Sequence, residues 1–264
     1  MSTATKPSNI HASAVISPRA RIGSGCYVGP FSIVGDDVEL KDGVRLESHV
    51  LIDGHTLIGE ETHVFPFVSI GLPPQDLKYG GEPSETRIGR RNQIREFVTI
   101  HRGTGGGGML TQIGDDCLLM AQAHVAHDCI LGSGVIMANA ATLAGHVNIE
   151  DNANVGAYSG VHQFCRVGRE AYIGGYSVVV KDALPFALTV GNHASCYGLN
   201  TTGMKRRGHA PEVIHSLHRA FRLLLSSRLN TSQALEKIAE EIKDSAEVDA
   251  LVEFIQSSQR GVTK

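Results

Sequence analysis

The stretch from Ile113 to Val179 decides the fold: IGDDCLLMAQAHVAHDCILGSGVIMANAATLAGHVNIEDNANVGAYSGVHQFCRVGREAYIGGYSVV. A large unbranched or branched aliphatic side chain recurs in it at every sixth position without a miss: Ile113, Leu119, Val125, Leu131, Met137, Leu143, Ile149, Val155, Val161, Val167, Ile173 and Val179. An amphipathic helix repeats at three and four residues and a half-buried strand at two. A strict period of six therefore predicts short strands joined by turns, a repeat architecture in which each unit packs on the next. Four residues beyond each of these positions stands something small or β-branched, as at Cys117, Ala123, Cys129, Val135 and Ala141. One large and one small side chain are expected to point inward per repeat.

Working outward, the same step runs from Ile10 through Ile16, Ile22, Val28, Val34, Leu40, Leu46, Ile52, Ile58 and Val64 to Ile70. Glycine follows the aliphatic residue at Gly23, Gly29, Gly35, Gly59 and Gly71, which reads as a corner where a missing Cβ helps. Residues 72–87, LPPQDLKYGGEPSETR, break the rhythm with paired prolines and glycines. It resumes at Ile88, Ile94 and Ile100, breaks again over 101–112 around four consecutive glycines, and restarts one residue out of phase at Ile113. Both breaks are expected as loop excursions from the coil, the kind of place where a rigid scaffold carries binding groups.

The rhythm fades after Pro185. Pro211 suits the first turn of a helix bearing Ile214, Leu217, Phe221, Leu224 and Leu225 on one face. Thr231 is expected to cap a second helix with Leu235, Ile238, Ala239 and Ile242, and a third carries Val248, Leu251, Val252 and Ile255. The expected organisation is a β-solenoid over residues 1–190 and a connecting segment with a helical domain over 191–264.

Composition narrows the function. Hydrophobic residues make up 42% and charged residues 19% of 264, with 30 glycines and no tryptophan, which suits a narrow aliphatic core with many turns. A net charge of −3 gives no global drive toward nucleic acid or membrane. Met1–Asn9 lacks the apolar region of a signal peptide and no apolar run approaches a spanning helix, so a cytoplasmic location without stable membrane insertion is expected. Cys26, Cys117, Cys129 and Cys165 occupy the small inward position and read as core residues, with only Cys196 off the lattice. Lys205, Arg206, Arg207, Arg219, Arg222 and Arg228 stand against Glu212 alone, a candidate docking patch for a phosphate-bearing or acidic partner.

The rhythm resembles the left-handed parallel β-helix acyltransferases, in which three strands make a coil and subunits form trimers. Handedness is implied by that resemblance, since the general crossover rule favours the right-handed turn. Gln75–Pro83 (QDLKYGGEP), Arg95–Thr104 (REFVTIHRGT), Ala123–Cys129 (AHVAHDC), Thr142–Val147 (TLAGHV), Val161–Cys165 (VHQFC) and Gly198–Gly208 (GLNTTGMKRRG) are similar to the UDP-N-acetylglucosamine acyltransferase family that starts lipid A synthesis. The similarity spans nearly the whole chain, excursions and tail included.

What the resemblance implies is transfer of an (R)-3-hydroxyacyl group from acyl carrier protein to the 3-hydroxyl of UDP-N-acetylglucosamine by a homotrimer. No metal or organic cofactor is implied, because the thioester already activates the acyl group. His127 matches the general base and Asp128 the residue orienting it; neighbours on a straight strand face opposite ways, so this pairing requires a corner at 127–128. The Gly145 N–H matches the oxyanion donor. Gln75, Asp76, Lys78, His124, His146, His162 and Gln163 match substrate contacts, and Asn200, Arg206 and Arg207 the nucleotide and carrier end. Gly175 matches the position that limits the acyl groove, and Thr202 replaces a glutamate common in the family. The alternatives of a different class are an N-acyltransferase acting on an amino-sugar analogue and a zinc enzyme like the γ-class carbonic anhydrases, which need three convergent imidazoles.

Overall fold

A computed structural model of the chain describes residues 8–225 and 228–264, so most of the Met1–Asn9 segment lies outside the described residues. The hexapeptide step becomes two-residue strands, such as Tyr27–Val28 and Ile33–Val34, each ending on its aliphatic residue. A strand two residues long cannot hold a partner through a hairpin; it pairs instead with the third strand along. Tyr27–Val28 thus lies parallel to Asn9–Ile10 on one side and Arg45–Leu46 on the other, partners being 18 residues apart. Three strands of six residues close one coil, and three sheets run the length of the stack. The result is a left-handed parallel β-helix.

The two inward positions behave as expected. Leu46, Ile52, Ile58, Val64 and Ile70 are fully buried, and so are the small partners Cys117, Ala123, Cys129 and Ala141, at 2% exposure or less. Each fully buried aliphatic contributes roughly 1.5–3 kcal/mol. At the N-terminal end of the described coil Ile10 is 46% exposed. All five cysteines are free, and burial pushes the Cys117, Cys129 and Cys165 thiols up to about 11, about 12 and about 11.

The missing Cβ matters at the glycines of the repeat as expected, and the structure supplies the reason at two of them. The corners take left-handed backbone without glycine, at Phe31, His49, Glu61, Phe67, Phe97, Asp128, His146 and Phe164 among others. Gly29 and Gly59 are required for another reason: a Cβ there would lie 2.8 Å from Glu47 and 2.5 Å from Gly89, backbone atoms of the next coil. Coil-to-coil crowding, rather than turn conformation, selects glycine at these two positions.

The excursions are also shorter than 72–87 and 101–112. Leu72 ends the strand Ser69–Leu72, Glu85–Ile88 is a strand, His101 ends Thr99–His101, and Leu110–Ile113 is a strand. Glu85–Ile88 pairs along its whole length with His55–Ile58 and Leu110–Ile113, so the sheet continues where the apolar rhythm does not. The register step grows from 18 to 30 residues across the first excursion and to 25 across the second. The second adds seven residues, one more than a repeat, which produces the phase shift at Ile113.

Past the last coil, Ala187–Val190 pairs antiparallel with Ser195–Leu199. Among the described residues four helices follow: α1 (Thr201–Arg206), α2 (Pro211–Leu225), α3 (Thr231–Glu241) and α4 (Ala246–Gln256). The short α1 was not foreseen. Asn230, not Thr231, caps α3, because its side chain accepts from Gln233 N–H while Gln233 returns the bond to the Asn230 N–H, a capping box. Ala239 is exposed and Ile242 follows the helix end; Ala234 and Ile238 carry the buried face. Leu217, Phe221, Ile238, Leu251 and Phe254 form a second core together with Leu184 and Phe186. The terminus straps the last coil, with Thr263 N–H donating to the Asp182 carbonyl.

Candidate active site

Stacking at a step of 18 brings separate motifs into columns. Asp128, His146 and Phe164 occupy one corner of three successive coils, each with φ near +60°. His127, Gly145 and Gln163 stand in the adjoining column, tied by the bonds from His146 N–H to the His127 carbonyl and from Phe164 N–H to the Gly145 carbonyl. The left-handed corner turns Asp128 back toward its neighbour, which a straight strand would not allow. His127 Nδ1 lies 2.7 Å from Asp128 Oδ2, and the Asp128 side chain has no exposed surface.

The other ring edge of His127 faces Gly145. A Cβ on Gly145 would lie 2.5 Å from His127 Cε1 and 2.7 Å from Nε2, so the backbone runs directly under the imidazole. Among the described residues the Gly145 N–H donates to no other group. His146 meets the His127 ring edge-on at 5.1 Å and stacks on Phe164 at 4.4 Å. Burial lowers the His146 imidazole against the opposing charges of Asp128 and, from the first excursion, Asp76. His124 binds the Thr99 hydroxyl at 2.7 Å and packs edge-on against His101; burial lowers both rings, His101 to about 4.

The remaining sequence candidates divide into two groups. Asp76 reaches His146 electrostatically, whereas Gln75 and Lys78 are exposed on the excursion and His162 and Gln163 on the coil face. His162 Nδ1 lies 3.4 Å from Arg260 of the terminal strap. Asn200, Thr202, Arg206 and Arg207 line a different cleft of about 510 Å³ with Asn152, Tyr172 and Leu188. There Asn200 caps α1 and donates to the Glu170 carbonyl, and Arg207 is bound to Asn152, while Arg206 pairs with no carboxylate among the described residues. Gly175 is exposed, and a Cβ there would meet only Ala157 closely, at 3.3 Å from its carbonyl oxygen.

Residues 182–263 match the family model described as UDP N-acetylglucosamine O-acyltransferase, domain 2, and residues 19–54 and 110–145 match the bacterial transferase hexapeptide model. The acyl-[acyl-carrier-protein]–UDP-N-acetylglucosamine O-acyltransferase of Thermodesulfovibrio yellowstonii is 46% identical over 97% of this chain and 99% of its own. That of Alkalilimnicola ehrlichii is 47% identical over 95% and 97%. The chain belongs to the UDP-N-acetylglucosamine O-acyltransferase family. The solved structure of LpxA from Acinetobacter baumannii superposes with a TM-score of 0.94 at 41% identity, covering 97% of this chain and 99% of that one.

Several groups around the family's histidines were not foreseen: Thr104, Thr111 and Gly107 about Asp128, Phe164 beneath His146, and Arg260 beside His162. The signal for Phe164 was available, because 128, 146 and 164 differ by one coil. Thr104 and Arg260 lie on an excursion and a strap, outside any period. The zinc alternative drew on His124 and His127, but the structure gathers His127, Asp128 and His146 within 4.8 Å. Both carboxylate oxygens of Asp128 are engaged, Oδ1 by the Thr104 N–H and Oδ2 by the Thr104 hydroxyl and His127, while His146 Nδ1 stands 3.9 Å off, beyond hydrogen-bond reach.

Proposed function

We propose that this chain transfers an (R)-3-hydroxyacyl group from acyl carrier protein to the 3-hydroxyl of UDP-N-acetylglucosamine, with His127 as base. The observation that carries this reading is the imidazole held between a buried carboxylate at Nδ1 and the Gly145 backbone at its Nε2 edge. Nε2 takes the hydroxyl proton as the sugar oxygen attacks the thioester carbonyl. The new C–O bond leaves a negative oxygen, which the free Gly145 N–H meets. When the C–S bond breaks, the departing thiolate recovers the proton from the imidazolium.

Asp76, Lys78, His124, His146, His162 and Gln163 then face the sugar and its phosphates. Asn200, Arg206 and Arg207 serve the nucleotide and carrier end, Arg206 being the guanidinium left unpaired there. With Thr202 in place of an acid, that end carries less negative charge. We assign residues 1–190 to the catalytic coil and 191–264 to the nucleotide- and carrier-facing unit.

A homotrimer follows from the same reading. It is supported by the exposed column Phe31, His49, Phe67 and Phe97, stacked at 5.0–5.1 Å, an apolar edge suited to a second copy. A cytoplasmic location accords with the carrier and nucleotide substrates; among the described residues no helix is long and apolar enough to cross a membrane. The deciding assay is acyl transfer from hydroxyacyl carrier protein to radiolabelled UDP-N-acetylglucosamine. Wild type is expected to form product and His127→Ala to lose nearly all of it. Full activity in His127→Ala would move the base elsewhere; an inactive, folded wild type would remove the reaction.

A further inference from the structure

We propose that Thr104, at the root of the second excursion, is the positioning residue that aims the Asp128 carboxylate at His127, making that excursion a clamp on the base. The inference rests on the acyl-transfer reading above. Asp128 Oδ1 accepts from the Thr104 N–H at 2.9 Å, and Oδ2 accepts from the Thr104 hydroxyl at 2.6 Å and from His127 Nδ1 at 2.7 Å. One residue therefore grips the carboxylate with two donors, and both residues are buried, at 4% and 5% exposure. The Asp128 backbone is held as well, its N–H donating to Thr111 Oγ1 at 2.8 Å.

The glycine run supplies the lid of this clamp. A Cβ on Gly107 would stand 2.1 Å from Asp128 Cγ, so the chain can lie on the carboxylate only without a side chain there. The turn is closed by the Gly107 and Met109 N–H groups donating to the Thr104 carbonyl at 3.1 and 3.0 Å. The seven residues added to the coil here thus bring one backbone and one hydroxyl donor of Thr104 to a buried carboxylate that the coil itself meets only through His127.

The chemical consequence lies in His127. An ionised Asp128 only accepts, so His127 must present N–H at Nδ1, which leaves Nε2 with its lone pair facing Gly145. By sharing Oδ2, the Thr104 hydroxyl also draws density from the atom that stabilises the imidazolium. The other titratable groups around the pair are His146, 3.9 Å from Asp128, then His124 and His101 beside His127, Asp76 facing His146, and Glu82, which accepts from Gly105 in the excursion.

The test is steady-state transfer by the full-length enzyme across a pH series, comparing wild type with Thr104→Val and Thr104→Ser. Losing a hydrogen bond to a charged group predicts a fall in kcat of roughly tenfold or more for Thr104→Val. KM for both substrates should stay within about twofold, since the bond orients the base and does not bind substrate. The acid limb of its kcat profile should move to higher pH, and Thr104→Ser should restore both the rate and the limb. A Thr104→Val enzyme with wild-type kcat and limb would overturn the proposal, as would a serine variant equally impaired, which would mean that packing alone matters. Should Thr104→Val fail to fold, Gly107→Ala, which leaves Thr104 in place and displaces the carboxylate, must lower kcat in the same way; an unchanged kcat would overturn the clamp. A wild type without transfer activity sinks the acyl-transfer reading instead.

Discussion

Replacing Gly145 by alanine isolates the contact between the backbone and the His127 ring. The backbone at Gly145 is not in the left-handed region, so alanine meets no conformational penalty of its own. The added Cβ would stand 2.5 Å from His127 Cε1, against 3.4 Å for ordinary contact, so the ring must recede by the difference, about 0.9 Å. It cannot do so freely, because Nδ1 is tied at 2.7 Å to an immobilised Asp128. A misplacement of roughly 1 Å at a reacting group costs on the order of 10²-fold in rate, the expected loss in kcat. Overpacking should also destabilise by about 1–3 kcal/mol. The stability arm is decisive in a double-mutant cycle: in a His127→Ala background the colliding ring is gone, so Gly145→Ala should become neutral or stabilising by about 0.4–1 kcal/mol. Chemical denaturation and kcat at saturating substrates read both effects. Wild-type activity in Gly145→Ala, or the same destabilisation with and without the His127 ring, would refute the contact.

Three further outcomes follow from other parts of the molecule. His101 titrates near 4 in the folded chain against about 6.5 unfolded, so its contribution is complete above about 6.5 and is lost as pH falls toward 4, by roughly 3 kcal/mol; His101→Phe should flatten the melting temperature over that window. Gly175→Met should fold normally, because only the Ala157 carbonyl lies close, and should shift kcat/KM toward shorter acyl chains by about tenfold; an unchanged chain-length profile would refute its place at the groove. Reversing Arg219 and Arg222 to glutamate should raise KM for the acidic carrier and weaken the salt dependence of binding, with Arg222 the larger contributor because Arg219 already lies 3.4 Å from Glu241; equal KM values would remove that patch from the docking surface.

The solenoid was legible because every repeat reports the same two inward positions. Ile113 to Val179 announces its strands by spacing alone, and the cysteines on the lattice are buried as that spacing requires. The candidate base and its glycine were legible as residues within family motifs, and the 18-residue strand register of the structure then places Gly145 under His127. Strand ends at the excursions were not, because Glu85–Ile88 is held by pairing on both sides, which its own composition does not reveal. The cap at Asn230 escaped for a related reason, since Asn and Thr at adjacent positions are both good caps and only the Gln233 return bond chooses between them.

By itself, then, the order of residues determined the period and the inventory of chemical groups, while the closing of three strands into one coil came from the resemblance and the strand register. Only the tertiary structure decided which of those groups meet. The left-handed φ of Asp128 turns its carboxylate onto the preceding residue, and the second excursion folds back to surround that charge with the Thr104 donors. Neither follows from a pattern of hydrophobicity, because periodicity encodes what leaves water, whereas the partners of a buried charge are chosen by which loop can reach it with free donors.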